Sequence, residues 1–314
     1  MPAPSRKPLH PRNPHLGLYD FPVLVRANPG LAVHVRKGPL GQDTIDFSDP
    51  VAVKALNQAL LVHFYGLAWW DIPDGFLCPP VPGRADYIHS LADLWAESSL
   101  GLRSGTKGLR VLDIGVGANC IYPIIGSHAY GWRFVGSESH PASLLAAQVI
   151  IDANPQLGTS VELRSQEDSR RIFEGVIRPG EHFELSLCNP PFHASAQEAM
   201  LSNRQRLDKQ GLSQKTGAAL NFGGQATELW CEGGEAAFLR RMVAESRDFA
   251  SQVDWFSCLV SSRDRLPALY KQLRQLRATE VRTIAMAQGQ KQTRLVAWCY
   301  RRDPERPAHQ IPGM

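Results

Sequence analysis

The chain has 314 residues, 34 Lys and Arg against 30 Asp and Glu, a net charge of +4 and 43% hydrophobic residues. That length accommodates a catalytic domain plus an extension with ample core, and the mild basicity permits a nucleic-acid partner without demanding one. No apolar run reaches the length of a membrane span, residues 1–15 are Pro-rich and basic, unlike a signal peptide, and six scattered cysteines without a C-x-x-C pair fit reduced core thiols, not zinc, so a soluble cytoplasmic protein with no metal and no membrane attachment is expected.

Residues 1–48 read as a basic N-terminal arm or small appended unit, because Arg6, Lys7, Arg12, Arg26, Arg36 and Lys37 meet only Asp20 before Asp43. Such a block either contacts nucleic acid or is a solvated terminus. Residues 49–108 read as a helical N-terminal extension packing on the core. Ser48 or Asp49 can cap a helix with Pro50 in its first turn, and Val53, Leu56, Leu60 and Leu61 recur at helical spacing. Residues 69–75 and 78–83 are dense in turn formers. A second helix opens at residues 84–89 and runs to about Glu97, and residues 101–108 read as a linker.

From Leu109 the pattern alternates. Apolar or β-branched runs at 109–114, 132–137, 160–164, 182–188, 253–260, 281–286 and 293–300 are mostly separated by helical patterns such as 141–153, 234–250 and 265–277. Strands alternating with helices give a parallel sheet with helices on both faces. The last two runs lie only a short turn apart, and parallel neighbours need a long crossover, so this pair must be an antiparallel hairpin. The predicted fold is α/β and Rossmann-like: a doubly wound, seven-stranded, mostly parallel sheet with an antiparallel last strand. It occupies residues 109–302, with a long loop at 194–234 and a tail at 303–314.

The first strand runs into Asp113-Ile114-Gly115-Val116-Gly117-Ala118-Asn119-Cys120. Gly115 and Gly117 let the backbone approach a ligand before a helix starts. Where a dinucleotide fingerprint needs a third glycine, Cys120 stands instead. The preceding acid, Asp113, suits an ammonium or sulfonium ligand, so S-adenosylmethionine fits better than NAD. A tight turn with no ligand is the structural alternative. At the tip of the second strand, Glu138 can accept hydrogen bonds from both hydroxyls of a ribose. Gln166, Glu167 and Asp168, after the third strand, are candidates to read the adenine of that cofactor, although polar loop residues are commonly just solvated.

The fourth strand ends in Cys188-Asn189-Pro190-Pro191-Phe192. Asn and Pro make turns without any function, but this sequence at a strand tip also suits one chemical task, holding a planar amine in line with a methyl donor. The Asn189 side-chain oxygen and the Pro190 carbonyl can accept hydrogen bonds from that amine, with Pro190 and Pro191 fixing φ and so holding the acceptors still. Phe192 can stack on the base, a contact worth about 1–3 kcal/mol. Adenine in RNA, adenine in DNA and a glutamine amide all present such a group. In the loop at 194–234, Arg204, Arg206, Lys209 and Lys215 suit a nucleic-acid lid, or an exposed insertion of ordinary charge. Arg263, Arg265, Lys271, Arg274 and Arg277 cluster on or before one helix, which suits RNA contact or a solvated face.

Taken together, residues 79–89, 113–123, 188–192 and 230–235, the last reading Trp230-Cys231-Glu232-Gly233-Gly234-Glu235, closely resemble the RlmF family of bacterial 23S ribosomal RNA adenine-N6 methyltransferases, class I S-adenosylmethionine-dependent enzymes. The likeness runs from about His10 to Arg301. It implies S-adenosylmethionine as methyl donor and one adenine of large-subunit ribosomal RNA, naked or in an assembly intermediate, as substrate of a monomeric enzyme. It also implies that Arg84, Gly115, Asn119, Glu138 and Asn189 line the cofactor or catalytic pocket, with Arg84 facing the methionine carboxylate. A DNA adenine or protein glutamine methyltransferase, and a non-catalytic RNA-binding module on the same fold, are the competing readings.

Overall fold

The computed structural model describes residues 8–193, 195, 197, 198, 230–288 and 291–301. Its first elements are α1 (Phe21–Ala27), a 3-10 turn (Pro29–His34) and a short hairpin, β1 (Arg36–Lys37) with β2 (Asp43–Thr44). Helix α2 (Pro50–Tyr65) starts where Asp49 caps Val51 N at 2.9 Å, and it stops at Gly66, whose φ of 66° ends the helix without a Cβ penalty. Helix α3 (Val81–Ala96) begins three residues ahead of the predicted start, because Pro82 in its first turn needs no hydrogen-bond acceptor. The stretch read as a linker holds a further helix, α4 (Ser99–Ser104), capped by the Ser98 hydroxyl on Gly101 N at 3.0 Å.

The alternating half follows: β3 (Arg110–Ile114), α5 (Ile121–Tyr130), β4 (Arg133–Glu138), α6 (Pro141–Asp152), α7 (Pro155–Gly158), β5 (Val161–Ser165), β6 (Phe183–Cys188), α8 (Gly234–Ser246), β7 (Val253–Val260), α9 (Leu266–Gln275), β8 (Glu280–Gln288) and β9 (Lys291–Cys299). Each predicted strand run becomes one strand. The sheet order is β5-β4-β3-β6-β7-β9-β8, with β9 antiparallel to both β7 and β8 and all other pairs parallel. The order reverses between β3 and β6, which is where open α/β sheets leave a crevice. Register makes that crevice useful: Ile114 is level with both Ser137 and Cys188, so Gly115, Glu138 and Asn189 emerge at one edge.

The N-terminal residues share the core of the sheet. Phe21, Leu24, Leu31 and Ile45 are buried in the same apolar cluster as Val111, Trp132 and Leu185. The stretch read as a basic arm lies across α3 as a strap. His10 N and Asn13 Nδ2 donate to Asp86 Oδ1 at 2.9 and 2.6 Å, and Arg12 pairs with Asp93. Arg36 and Lys37 likewise pair with Asp46 and Asp43. The six cysteines are free, five of them buried, and no helix among the described residues is long and apolar enough to cross a membrane. No cluster of potential metal ligands occurs among the described residues.

Candidate active site

A cleft opens at the β3/β6 reversal, and Arg84, Gly115, Gly117, Asn119, Glu138, Gln166, Asn189 and Pro191 all line it. These residues come from helix, strand tips and loops up to 107 positions apart, and the sheet register collects them.

The turn after β3 is shaped for close approach. Gly115 and Gly117 have φ of 74° and 63°, where a side chain would be strained. Gly115 N and Val116 N both donate to Ser137 O, at 2.9 and 3.0 Å, which ties the turn to the neighbouring strand. Asn119 holds the next corner: its Oδ1 accepts from Ile121 N at 3.1 Å, its Nδ2 donates to Leu77 O at 3.3 Å, and its carbonyl accepts from the Trp70 indole at 2.9 Å. It both starts α5 and fixes one wall of the cleft.

Glu138 is 8% exposed, and three backbone N–H groups hold its carboxylate: Ser139 and His140 at Oε1 (2.8 and 2.9 Å) and Gly117 at Oε2 (3.1 Å). Burial raises its pKa despite these bonds, which pull the other way. Oε2 retains acceptor capacity toward the cleft, since a carboxylate oxygen takes two hydrogen bonds.

Arg84 is only 6% exposed, and no carboxylate among the described residues lies within ion-pair distance of it. Its Nη1 donates to Tyr122 Oη at 2.9 Å, and its guanidinium sits 5.6 Å from the Tyr122 ring centroid. A buried cation without a carboxylate partner at ion-pair distance costs several kcal/mol, on the order of a desolvation penalty, and Arg84 lines the cleft in that state.

Asp113 is fully buried beneath the glycine turn and does not line the cleft; both carboxylate oxygens lack a hydrogen-bond partner. Burial, then the nearby Glu138, raises its pKa well above the ordinary carboxylate value, and Arg84 opposes the shift. Gln166 does line the cleft, but its amide is used within its own loop: Nε2 donates to Glu174 O at 2.9 Å and Oε1 accepts from Asp168 N at 3.0 Å. These bonds orient the amide within the loop and leave it a second N–H and a second oxygen lone pair beyond them. What completes that wall is Ile172, with Ser169 and Arg171. The loop is pinned by Glu245 on α8, whose carboxylate accepts from Ile172 N, Phe173 N and Glu174 N at 2.9, 2.8 and 2.6 Å. Nothing in the spacing of the sequence marks Ile172, Tyr122 or Glu245.

At the tip of β6, Asn189 and Pro191 enter the cleft, while Pro190 is buried and Phe192 half-buried just beyond. Asn189 Oδ1 is buried without a hydrogen-bond donor. The chain returns to this point at Trp230, which bridges to His193, with Cys231 N donating to His193 O at 3.1 Å. Arg204, Arg206, Lys209 and Lys215, the cations expected to contact RNA, lie outside the described residues. Of the second basic group, Arg265 is committed to the buried Glu235 at 2.5 Å, while Arg263, Lys271, Arg274 and Arg277 are exposed.

Comparison with known proteins gives consistent matches over nearly the whole chain. A family model described as RNA methyltransferase matches residues 3–302. The Ribosomal RNA large subunit methyltransferase F of Pseudomonas aeruginosa (strain LESB58) is 55% identical over 298 residues, 94% of this chain and 89% of that protein. Its namesake in Escherichia coli O127:H6 is 53% identical over 303 residues, 96% of this chain and 97% of the relative. Among solved structures, the hMettl16 catalytic domain in complex with MAT2A 3'UTR hairpin 1 aligns with a TM-score of 0.78 at 28% identity, covering 96% of this chain and 99% of that one. The N-terminal domain of human METTL16 in complex with SAH aligns at 0.74 and 26% identity, covering 94% and 100%.

Proposed function

The chain belongs to the RNA methyltransferase family, and from that premise we propose that it transfers a methyl group from S-adenosylmethionine to the N6 amine of one adenine in large-subunit ribosomal RNA. The relatives named for large-subunit ribosomal RNA methylation support the substrate. The observation that carries the choice of acceptor is Asn189 Oδ1, a buried hydrogen-bond acceptor with no donor of its own, at a strand tip inside the cleft. An unpaired buried acceptor costs about 1–3 kcal/mol, and an N–H donor from a substrate amine removes that cost.

The cleft fits the cofactor. Arg84 takes the amino-acid carboxylate, the Gly115–Gly117 turn lets the chain of the ligand pass close to backbone, and Glu138 Oε2 accepts from a ribose hydroxyl with the one lone pair that Gly117, Ser139 and His140 leave free. Asp113 sits below the turn, where burial favours its neutral form, and it supports the turn from beneath without contacting the ligand. Ile172 packs on the adenine side of the cleft. When bound, S-adenosylmethionine supplies a methyl group on a cationic sulfur.

The protein's own work is positioning. The exocyclic nitrogen of adenine is a weak nucleophile because its lone pair is delocalised into the ring. Asn189 Oδ1 and the Pro190 carbonyl accept its two hydrogens, favour a more tetrahedral nitrogen and aim its lone pair at the methyl. Pro190 and Pro191 keep those acceptors from moving, and Phe192 stacks on the base, which leaves its helix to reach the pocket. No strong base is needed, since the nitrogen becomes acidic only after methylation. Arg204, Arg206, Lys209 and Lys215, directly after this turn in sequence, contact RNA phosphates in the same reading.

The test is methylation of ribosomal RNA that lacks the modification, using labelled cofactor and nucleoside digestion. N6-methyladenosine should form, and Asn189→Ala should abolish it while SAH binding persists. Methyl transfer to another nucleoside, preference for duplex DNA or a protein amide in competition, or full activity of the Ala variant would overturn the assignment.

A further inference from the structure

Between β6 and β7 the last paired residues are Leu185 and Trp255, three positions short of the strand tip. Beyond them a chain of side-chain hydroxyls replaces the ladder. Cys188 N–H reaches Tyr87 Oη at 3.3 Å, Tyr87 Oη lies 2.9 Å from Ser257 Oγ, and Ser257 Oγ donates to Ser186 O at 2.7 Å. Ser257 gives its one proton to Ser186, so Tyr87 accepts from Cys188 N–H and has its own proton for Ser257 Oγ or for the Cys188 carbonyl, 3.5 Å away. Tyr87, Ser257, Ser186 and Cys188 are each at most 1% exposed, so water does not substitute for any of these bonds.

We infer that Tyr87 is a positioning residue for methyl transfer, holding the backbone of Cys188 so that the adjoining Asn189 presents Oδ1 at a fixed point above the cofactor cleft. The inference rests on the acceptor role proposed for Asn189. Tyr87 stands one turn after Arg84 on α3, and its ring meets the Tyr122 ring edge-on at 5.4 Å, the same Tyr122 that bonds Arg84. One rigid helix thus sets the distance between the residue that grips the cofactor and the strand tip that grips the amine. A group placed in this way affects alignment, and misplacement by about 1 Å costs on the order of a hundredfold in rate.

Tyr87→Phe keeps the ring and removes only the hydroxyl. It should lower kcat roughly tenfold to a hundredfold and leave the affinity for SAH within about twofold of wild type. Ser257→Ala, which removes the nearer acceptor for the Tyr87 proton, should lower kcat in the same direction, Ser257→Thr should restore most of it, and Tyr87→Phe with Ser257→Ala should lose little more than either alone. Leu91→Ala, buried on the same helix, is the control for lost stability: at a temperature well below its melting point its kcat should stay near wild type. Wild-type kcat in Tyr87→Phe and in Ser257→Ala, or a loss no larger than that of Leu91→Ala, or a loss explained by weaker SAH binding, overturns the inference. Asn189→Ala run alongside separates the two levels: full activity there removes the acceptor reading and this one with it, whereas an inactive Asn189→Ala with an unaffected Tyr87→Phe removes only the role of Tyr87.

Discussion

Replacing Glu138 by Gln isolates the cofactor half of the site. The carboxylate accepts three backbone bonds, from Ser139 and His140 at one oxygen and from Gly117 at the other, 3.1 Å away. A carboxamide has one oxygen. If that oxygen keeps Ser139 and His140, the NH2 group faces Gly117 N–H, donor against donor, and the glycine turn has to shift. The ribose then loses its charged acceptor as well. A hydrogen bond to a charged group is worth about 1.5–3 kcal/mol, and about 1.4 kcal/mol is tenfold in affinity, so the dissociation constant for SAH should rise about tenfold to a hundredfold. Folding stability should change little, because the variant loses bonds but also removes a charge that burial disfavours. The pH dependence sharpens the test. Burial raises the Glu138 pKa in the folded protein, so its contribution to folding is full at low pH and is lost as pH rises through the raised value. Cofactor affinity runs the other way, rising with pH over that window as the carboxylate forms. Calorimetric titration of SAH from pH 4 to 8 should therefore show tightening in the wild type and a flat profile in Glu138→Gln. Equal affinity of the two proteins at pH 8 would refute the ribose assignment.

Two further substitutions probe the walls of the cleft. Arg84→Met keeps the length of the stem and removes a buried cation that has no carboxylate partner; melting temperature should hold or rise, SAH affinity should fall at least about tenfold, and binding of 5'-methylthioadenosine, which has no carboxylate, should be unchanged. Equal losses for both ligands would place Arg84 elsewhere in the site. Glu245→Ala leaves Ile172, Phe173 and Glu174 N–H groups without their acceptor and should cost about 1–3 kcal/mol of stability with a raised KM for S-adenosylmethionine. Glu245→Gln retains the oxygen able to serve Phe173 and Glu174, so most of the KM should return; no difference between the two variants in denaturation and KM measurements would argue against the loop anchor.

The sequence determined what depends on neighbouring residues and period. Seven β-branched or apolar runs separated by helical patterns produced seven strands, and the short connection before β9 forced an antiparallel pair because no parallel crossover fits it. Gly115 and Gly117 were legible because a turn that approaches a ligand requires positive φ, and Glu138 and Asn189 because they end strands. Tertiary structure decided what depends on which distant groups meet. Asp113, expected as a cofactor contact, is buried below the turn, and the Gln166 amide, which lines the cleft, is oriented by two bonds within its own loop. Of the basic N-terminal stretch, Arg12 pairs with Asp93 on α3, a partner 81 residues away that no local pattern marks, while Arg36 and Lys37 pair with Asp46 and Asp43 close by. Ile172 and Glu245 carry no local pattern at all, and Arg84, Tyr87 and Tyr122 stand out only through the family resemblance of residues 79–89 and 113–123. Their roles come from packing α3, α5 and α8 against one edge of the sheet, where burial removes water and makes each hydrogen bond, or its absence, count.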